Sequence, residues 1–121
     1  MSERPEQDRR IDYIEFPVLD LQRTRAFYEG IFGWSFQEWG DTYLSFNDGR
    51  LDGGFSLSEE LTPKGGPLVI LYALDLEGTR AAVLEHGGTI EKEIFDFPGG
   101  RRFHFIDPNG YELAVWSDPT D

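Results

Sequence analysis

Cysteine is absent from the 121 residues. That excludes a disulfide framework, a thiolate nucleophile and a thiolate metal ligand. Histidine is scarce, with two in the chain. No apolar run approaches the roughly 20 residues that span a bilayer. The first ten residues are polar and charged, unlike a signal peptide, so a soluble, cytoplasmic protein is expected. Basic residues are few: 11 Lys and Arg stand against 23 Asp and Glu, a formal net charge of −12. Such a field repels phosphate backbones and anionic membranes, so neither nucleic acid nor membrane is expected as a partner. It would favour a cationic ligand only if the acidity were concentrated at a pocket; otherwise it supports solubility. A Gly-x-Gly-x-x-Gly turn opening a helix, a Walker loop and a Gly-x-Ser-x-Gly elbow are also missing.

What the chain does contain is a phrase written twice. Leu19-Asp20-Leu21-Gln22-Arg23-Thr24-Arg25-Ala26 returns 55 positions later as Leu74-Asp75-Leu76-Glu77-Gly78-Thr79-Arg80-Ala81, with six of eight positions identical. Each copy follows an apolar run and opens a segment of helical spacing, with Asp20 and Asp75 as N-caps. The periodicities predict a strand over 11–18, a helix over 21–32, and strands over 34–39, 42–47 and 51–57. A linker follows over 58–66. The order then repeats, with a strand over 67–74, a helix to 85, and strands over 89–95, 101–106 and 111–117. Turn residues separate the strands at Gly40-Asp41, Asn47-Asp48-Gly49, Pro98-Gly99-Gly100 and Asp107-Pro108-Asn109-Gly110. The expected architecture is α+β: two βαβββ modules, 11–57 and 67–117, with residues 1–10 as a flexible tail. Two similar modules can face each other and enclose a cleft.

Phe16-Pro17-Val18-Leu19-Asp20-Leu21, then Ala26-Phe27-Tyr28 and Ile31-Phe32-Gly33-Trp34, resemble the first half of a glyoxalase/bleomycin resistance protein/dioxygenase family member, in the vicinal oxygen chelate superfamily. Phe105 to Leu113, with the Asp-Pro-Asn-Gly turn, resembles its last hairpin. The resemblance implies one glyoxalase-like domain over 11–117, curved mixed sheets with helices outside, a cavity between the modules and a homodimer. In metal-using members, His and Glu from four cavity-facing strands hold a divalent ion that acts as a Lewis acid on vicinal oxygens. The resemblance places those four positions here at Tyr13, Gly53, Leu68 or Val69, and Ala114. A glycine and aliphatic side chains cannot ligate, and tyrosine is a rare ligand. Shifting register by one residue adds only Asp52. The expectation is therefore a family member with no metal and no other cofactor.

Other groups remain as candidates. Strand alternation puts Glu15 on the face of Tyr13, where apolar walls would raise its pKa and make it a base. Glu112 and Trp116 share a face with Ala114; Glu112, beside a turn, is expected to be exposed. His104 lies in a strand between Phe103 and Phe105, a structural imidazole or, with Glu15, a makeshift catalytic or metal pair. His86 is expected to bond the last carbonyls of the second helix. Aromatic residues make up 15% of the chain, and rings can line a cleft as well as a core.

The leading expectation is a protein that binds a small organic molecule, aromatic or cationic, in the inter-module cleft through Tyr13, Glu15, Gly53, Leu68, Ala114 and Trp116. One alternative is a lyase, isomerase or dioxygenase that uses a relocated metal or Glu15 as base. Another is an interaction module whose cleft is filled by its own side chains.

Overall fold

A computed structural model describes residues 11, 13–60 and 68–120; the expected tail and most of the expected linker lie outside them. Ten elements follow in order: β1 Tyr13–Val18, α1 Leu21–Phe32, β2 Ser35–Trp39, β3 Tyr43–Asn47, β4 Asp52–Leu57, β5 Val69–Tyr72, α2 Leu76–Glu85, β6 Thr89–Phe97, β7 Gly100–Ile106 and β8 Glu112–Ser117. The pattern is βαβββ written twice. Each module forms one four-stranded mixed sheet, ordered β1-β4-β3-β2 and β5-β8-β7-β6. The first and last strands of each module run parallel, and the remaining pairs are antiparallel.

The repeated phrase is a helix-starting device. Asp20 Oδ1 accepts from Arg23 N at 2.9 Å, and Asp75 Oδ1 accepts from Gly78 N at 2.9 Å. Thr24 and Thr79 then turn their hydroxyls back onto the carbonyls of the same aspartates, at 2.7 and 2.8 Å. Both devices satisfy groups that a helix start leaves unpaired or exposed. α1 ends at Gly33, whose left-handed φ of 71° lets its N–H reach Glu29 O. α2 ends differently: His86 Nδ1 donates to Ala82 O at 2.8 Å, as a helix-terminal imidazole is expected to.

One apolar core runs through both modules. Rings carry it across. Phe46 stacks on Trp34 at 4.6 Å, Trp34 on Tyr28 at 4.7 Å, Tyr28 meets Phe27 edge-on at 5.0 Å, and Phe27 reaches Phe105 of the second sheet at 6.1 Å. Beside this column the Asp107 turn is bolted beneath α1. Asp107 Oδ1 accepts from the backbone N–H groups of Asn109 and Tyr111, while Oδ2 accepts from Tyr28 Oη at 2.9 Å and Asn109 Nδ2 at 3.3 Å. Asn109 in turn donates to Thr24 Oγ1 at 3.0 Å and accepts from Leu19 N at 3.2 Å. Tyr111 Oη donates to Pro17 O at 2.6 Å. The two modules are thus held together by buried polar bonds as well as by rings.

Burial pushes the Asp107 carboxyl above its ordinary value, and the four donors hold it back only in part. Folding therefore shifts this carboxyl toward protonation relative to the unfolded chain. Its contribution to stability is complete below the ordinary carboxylate pKa and is lost as pH rises through the raised folded value. Asp107→Ala should cost about 3 kcal/mol, because two buried N–H groups and Tyr28 Oη lose their acceptor. Tyr28→Phe should cost about 1–2 kcal/mol. Urea unfolding checks both. Run at pH 3.5 and pH 7, it should show the stability gap between wild type and Asp107→Asn narrowing at the higher pH.

Candidate functional site

A cleft of about 750 Å³ lies between the modules. The edge strands β1 and β5 border it, through Ile14 and Phe16 on one side and Val69 to Tyr72 on the other. Phe32, Trp34 and Phe46 form its floor, and Trp116 closes one wall. Among the described residues its only charged lining residues are Asp48 and Arg50, one of each sign. The acidity of the chain is therefore not concentrated here, and the condition for a cationic ligand at this cleft is not met. The volume also argues against a cleft filled by its own side chains. Of the residues expected from sequence at the inter-module cleft, Trp116 is the one that borders it. Phe32, Trp34 and Phe46, with Ile70 and Tyr72, went unremarked as lining. Alternation from Leu68 along β5 was the signal that would have marked Ile70 and Tyr72.

Tyr13 and Glu15 stand elsewhere, on the face of the first sheet turned away from the core. Tyr43 joins them from β3. Tyr43 Oη donates to Glu15 Oε1 at 2.9 Å and lies 2.6 Å from Tyr13 Oη. Because the one Tyr43 proton goes to Glu15, Tyr13 is the donor to Tyr43. Burial and these two neighbours raise the Tyr43 pKa, so the phenol stays neutral. Glu15 is exposed; no apolar walls enclose it. Tyr43 and its link to Glu15 were not foreseen, although 43 and 45 alternate onto the same face as 13 and 15.

Gly53 does not share that face. A side chain there would meet Phe46 Cζ at 2.2 Å and Ile14 O at 2.5 Å, on the core side. Gly54 is the residue beneath the tyrosines, where a Cβ would lie 1.9 Å from Tyr43 Oη. The correction of one residue replaces one glycine by another and adds no ligand.

The open face of the second sheet carries Leu68 and Ala114, with Ala114 paired to Ile70 on one side and His104 on the other. His104 is 3% exposed. Its Nδ1 donates to Glu112 Oε2 at 2.8 Å, and its Nε2 is buried without a partner among the described residues. Glu112, expected to be exposed, is half-buried because it holds this imidazole. Arg102 lies over Phe95 at 5.3 Å and Phe97 at 5.7 Å. β6 is irregular opposite His104, with register shifts between Ile90 and Lys92 and between Lys92 and Phe95. Glu15 and His104 sit on different sheets with different partners, so they do not form the conceived pair.

The four positions at which the resemblance places metal ligands thus present a phenol, a glycine, Leu68 and Ala114. That donor set does not fit a divalent cation. Among the described residues no group of three or more His, Asp or Glu side chains is placed to hold one, and no helix is long and apolar enough to cross a membrane.

Residues 10–115 match the Glyoxalase/Bleomycin resistance protein/Dioxygenase superfamily. A glyoxylase-like domain-containing protein of Didymella fabae is 32% identical over 119 residues, covering 88% of this chain and 93% of that protein. Among solved structures, a glyoxalase-related enzyme from Fulvimarina pelagi superposes with a TM-score of 0.78 at 16% identity, over 91% of this chain and 88% of that one. The fosfomycin resistance protein FosX from Mesorhizobium loti superposes with a TM-score of 0.76 at 17% identity, over 90% and 92% of the two chains.

The two adjacent glycines give a sharp test of the face assignment. Gly53→Ala should cost about 3 kcal/mol, because its clash includes a backbone carbonyl and a core ring. Gly54→Ala should cost about 1 kcal/mol, because the tip of Tyr43 can swing aside, and should lower the Tyr43 pKa by breaking its bond to Glu15. Urea unfolding and ultraviolet titration of the tyrosines measure the two effects.

Proposed function

The chain belongs to the glyoxalase/bleomycin resistance protein/dioxygenase superfamily, and on that premise we propose that it binds a small, largely apolar aromatic molecule in the cleft between its modules, without the divalent metal of the metal-using members. The observation that carries the reading is the cleft itself, at about 750 Å³ and walled by rings and aliphatic side chains. That lies within the roughly 300–1,000 Å³ typical of ligand pockets. Trp116, half-buried in the lining, offers a ring for stacking. The chemistry of the four ligand positions supports a binding role over Lewis-acid catalysis, since only the Tyr13 phenol among them could ligate a divalent ion.

One FosX structure, that of an E126Q mutant from Listeria monocytogenes, is a complex with Mn(II) and a dihydroxypropylphosphonic acid. That ligand class does not suit this cleft. A phosphonate needs concentrated positive charge, and this cleft offers Arg50 balanced by Asp48. The reading includes a homodimer and a cytoplasmic location. Leu68, just before β5, and Ile70 and Tyr72 within it are each more than a third exposed, an apolar row along this edge that supports a covering partner.

A second reading is favoured by one observation, the His104 imidazole oriented by Glu112 with its Nε2 unpartnered. In an enzyme of this family that nitrogen would serve as a general base. Its discriminator is turnover of a bound compound that is lost in His104→Gln and survives in Glu15→Gln.

A panel of neutral aromatic compounds should contain members that raise the melting temperature and quench tryptophan emission. Trp116→Ala should weaken their binding by about tenfold, or about 1.4 kcal/mol. A panel with no such member, or binding that ignores Trp116→Ala, would contradict the reading.

A further inference from the structure

Every residue of β5 from Val69 to Tyr72 lines the inter-module cleft. One face of a strand supplies only every second residue, so an unbroken run means that the cleft meets β5 along its edge. β5 is the outermost strand of its sheet and pairs with β8 alone. Ala73 N donates to Trp116 O at 3.0 Å, so Ala73 turns its backbone groups toward β8. That direction alternates along a strand. Ile70 and Tyr72 therefore turn their N–H and C=O groups to the open edge. Among the described residues these groups have no hydrogen-bond partner.

The repeat shows that this opening is particular to the second module. The offset of 55 that aligns Asp20 with Asp75 also aligns Pro17 with Tyr72. Ser58 N donates to Val18 O, so Val18 faces β4 and Pro17 faces the free edge of β1. There the edge is sealed. Pro17 has no N–H, and its C=O accepts from Tyr111 Oη at 2.6 Å. Tyr72 keeps both backbone groups at the matching place. The counterpart of Tyr111 is Leu51, since each gives its N–H to the aspartate of its own turn. Leu51 lines the cleft and has no hydroxyl with which to seal it.

The N–H and C=O of one extended residue point the same way, side by side. A ligand meets both when it carries an N–H and an acceptor on adjacent atoms of one edge. An open-chain trans amide points those groups in opposite directions and meets only one of them. A cyclic amide points both the same way. The rings of the cleft suit a planar body, and its two charges are of opposite sign, with Asp48 spent on the N–H groups of its own loop.

We propose that the cleft takes a planar aromatic lactam, which accepts from the Tyr72 N–H and donates to the Tyr72 C=O. This rests on the reading of the cleft as a ligand site and names the chemical class of its ligand.

2-Quinolinone and coumarin test it, because they share a shape and coumarin carries a ring oxygen in place of the lactam N–H. Isothermal calorimetry on the full chain should show 2-quinolinone binding at least about tenfold more tightly. Hydrogen exchange followed by NMR reads the contact itself. The Tyr72 amide should exchange readily in the free chain and at least about tenfold more slowly with 2-quinolinone, while the Leu71 amide, already in the ladder, should not change. Tyr72→Pro, which copies Pro17 of the first module, should reduce 2-quinolinone to the affinity of coumarin. Tyr72→Ala keeps the N–H and should preserve the preference. Equal affinity for the two compounds, both weakened by Trp116→Ala, would overturn the lactam and leave the cleft reading standing. A Tyr72 amide protected in the free chain, or binding of neither compound, would also overturn the lactam, and the cleft reading would then be decided by the wider aromatic panel.

Discussion

The buried bonding around Asp107 sets the relation between the two halves of this molecule. One carboxylate accepts from its own turn and from Tyr28, and Asn109 of the same turn bonds Thr24 and Leu19 at the start of α1. Polar bonds of this kind are directional where apolar contact is not. They fix how α1 sits on the second sheet, and with it the separation of β1 and β5. The cleft is the space left between those two edge strands, so its shape follows from the joint. Partial loss of such a network is costly because the remaining buried groups go unpaired.

The repeat explains why the modules are alike, and its imperfections explain why their faces differ. Both helices start on the same Asp and Thr device. The corresponding turns then diverge. Asp48 is exposed and binds only its own loop, whereas Asp107 is buried against the other module. The open faces diverge further. One carries a tyrosine pair bonded to a carboxylate. The other carries a buried imidazole bonded to a carboxylate, a guanidinium between two phenylalanines, and an apolar edge. Among the described residues neither face presents a set of side chains that would hold a divalent ion.

Much of this was legible in the residues. Helix starts, the Gly33 stop and the strand order follow from local chemistry that the structure repeats closely. The α+β architecture and the family follow from the repeat together with the Asp-Pro-Asn-Gly hairpin. The Gly53 assignment failed for a local reason. Asp48 Oδ1 accepts from Leu51 N, three residues on, while Asp107 Oδ1 accepts from Tyr111 N, four residues on. Gly49 stands two residues before Leu51, whereas Gly110 stands one before Tyr111, so counting the same number of residues from each glycine lands on the wrong face of β4. Contacts between elements were less legible. Alternation shows which residues share a face, and it correctly grouped Tyr13 with Glu15 and Ala114 with Trp116. It does not show which face meets which, and that decides why only Trp116 of these lines the cleft. The Glu112–His104 bond needed the β7–β8 register, which sequence alone left open.

This chain keeps the family's scaffold, while the positions at which other members hold a metal carry a phenol, a glycine and aliphatic side chains. Equilibrium dialysis of the untagged full chain against Mn(II), Ni(II) and Zn(II), followed by elemental analysis, tests that most directly. The account predicts no stoichiometric retention of any of the three at micromolar free metal. One tightly held ion per chain would contradict it and would return Tyr13, Glu15, His104 and Glu112 to scrutiny as ligands.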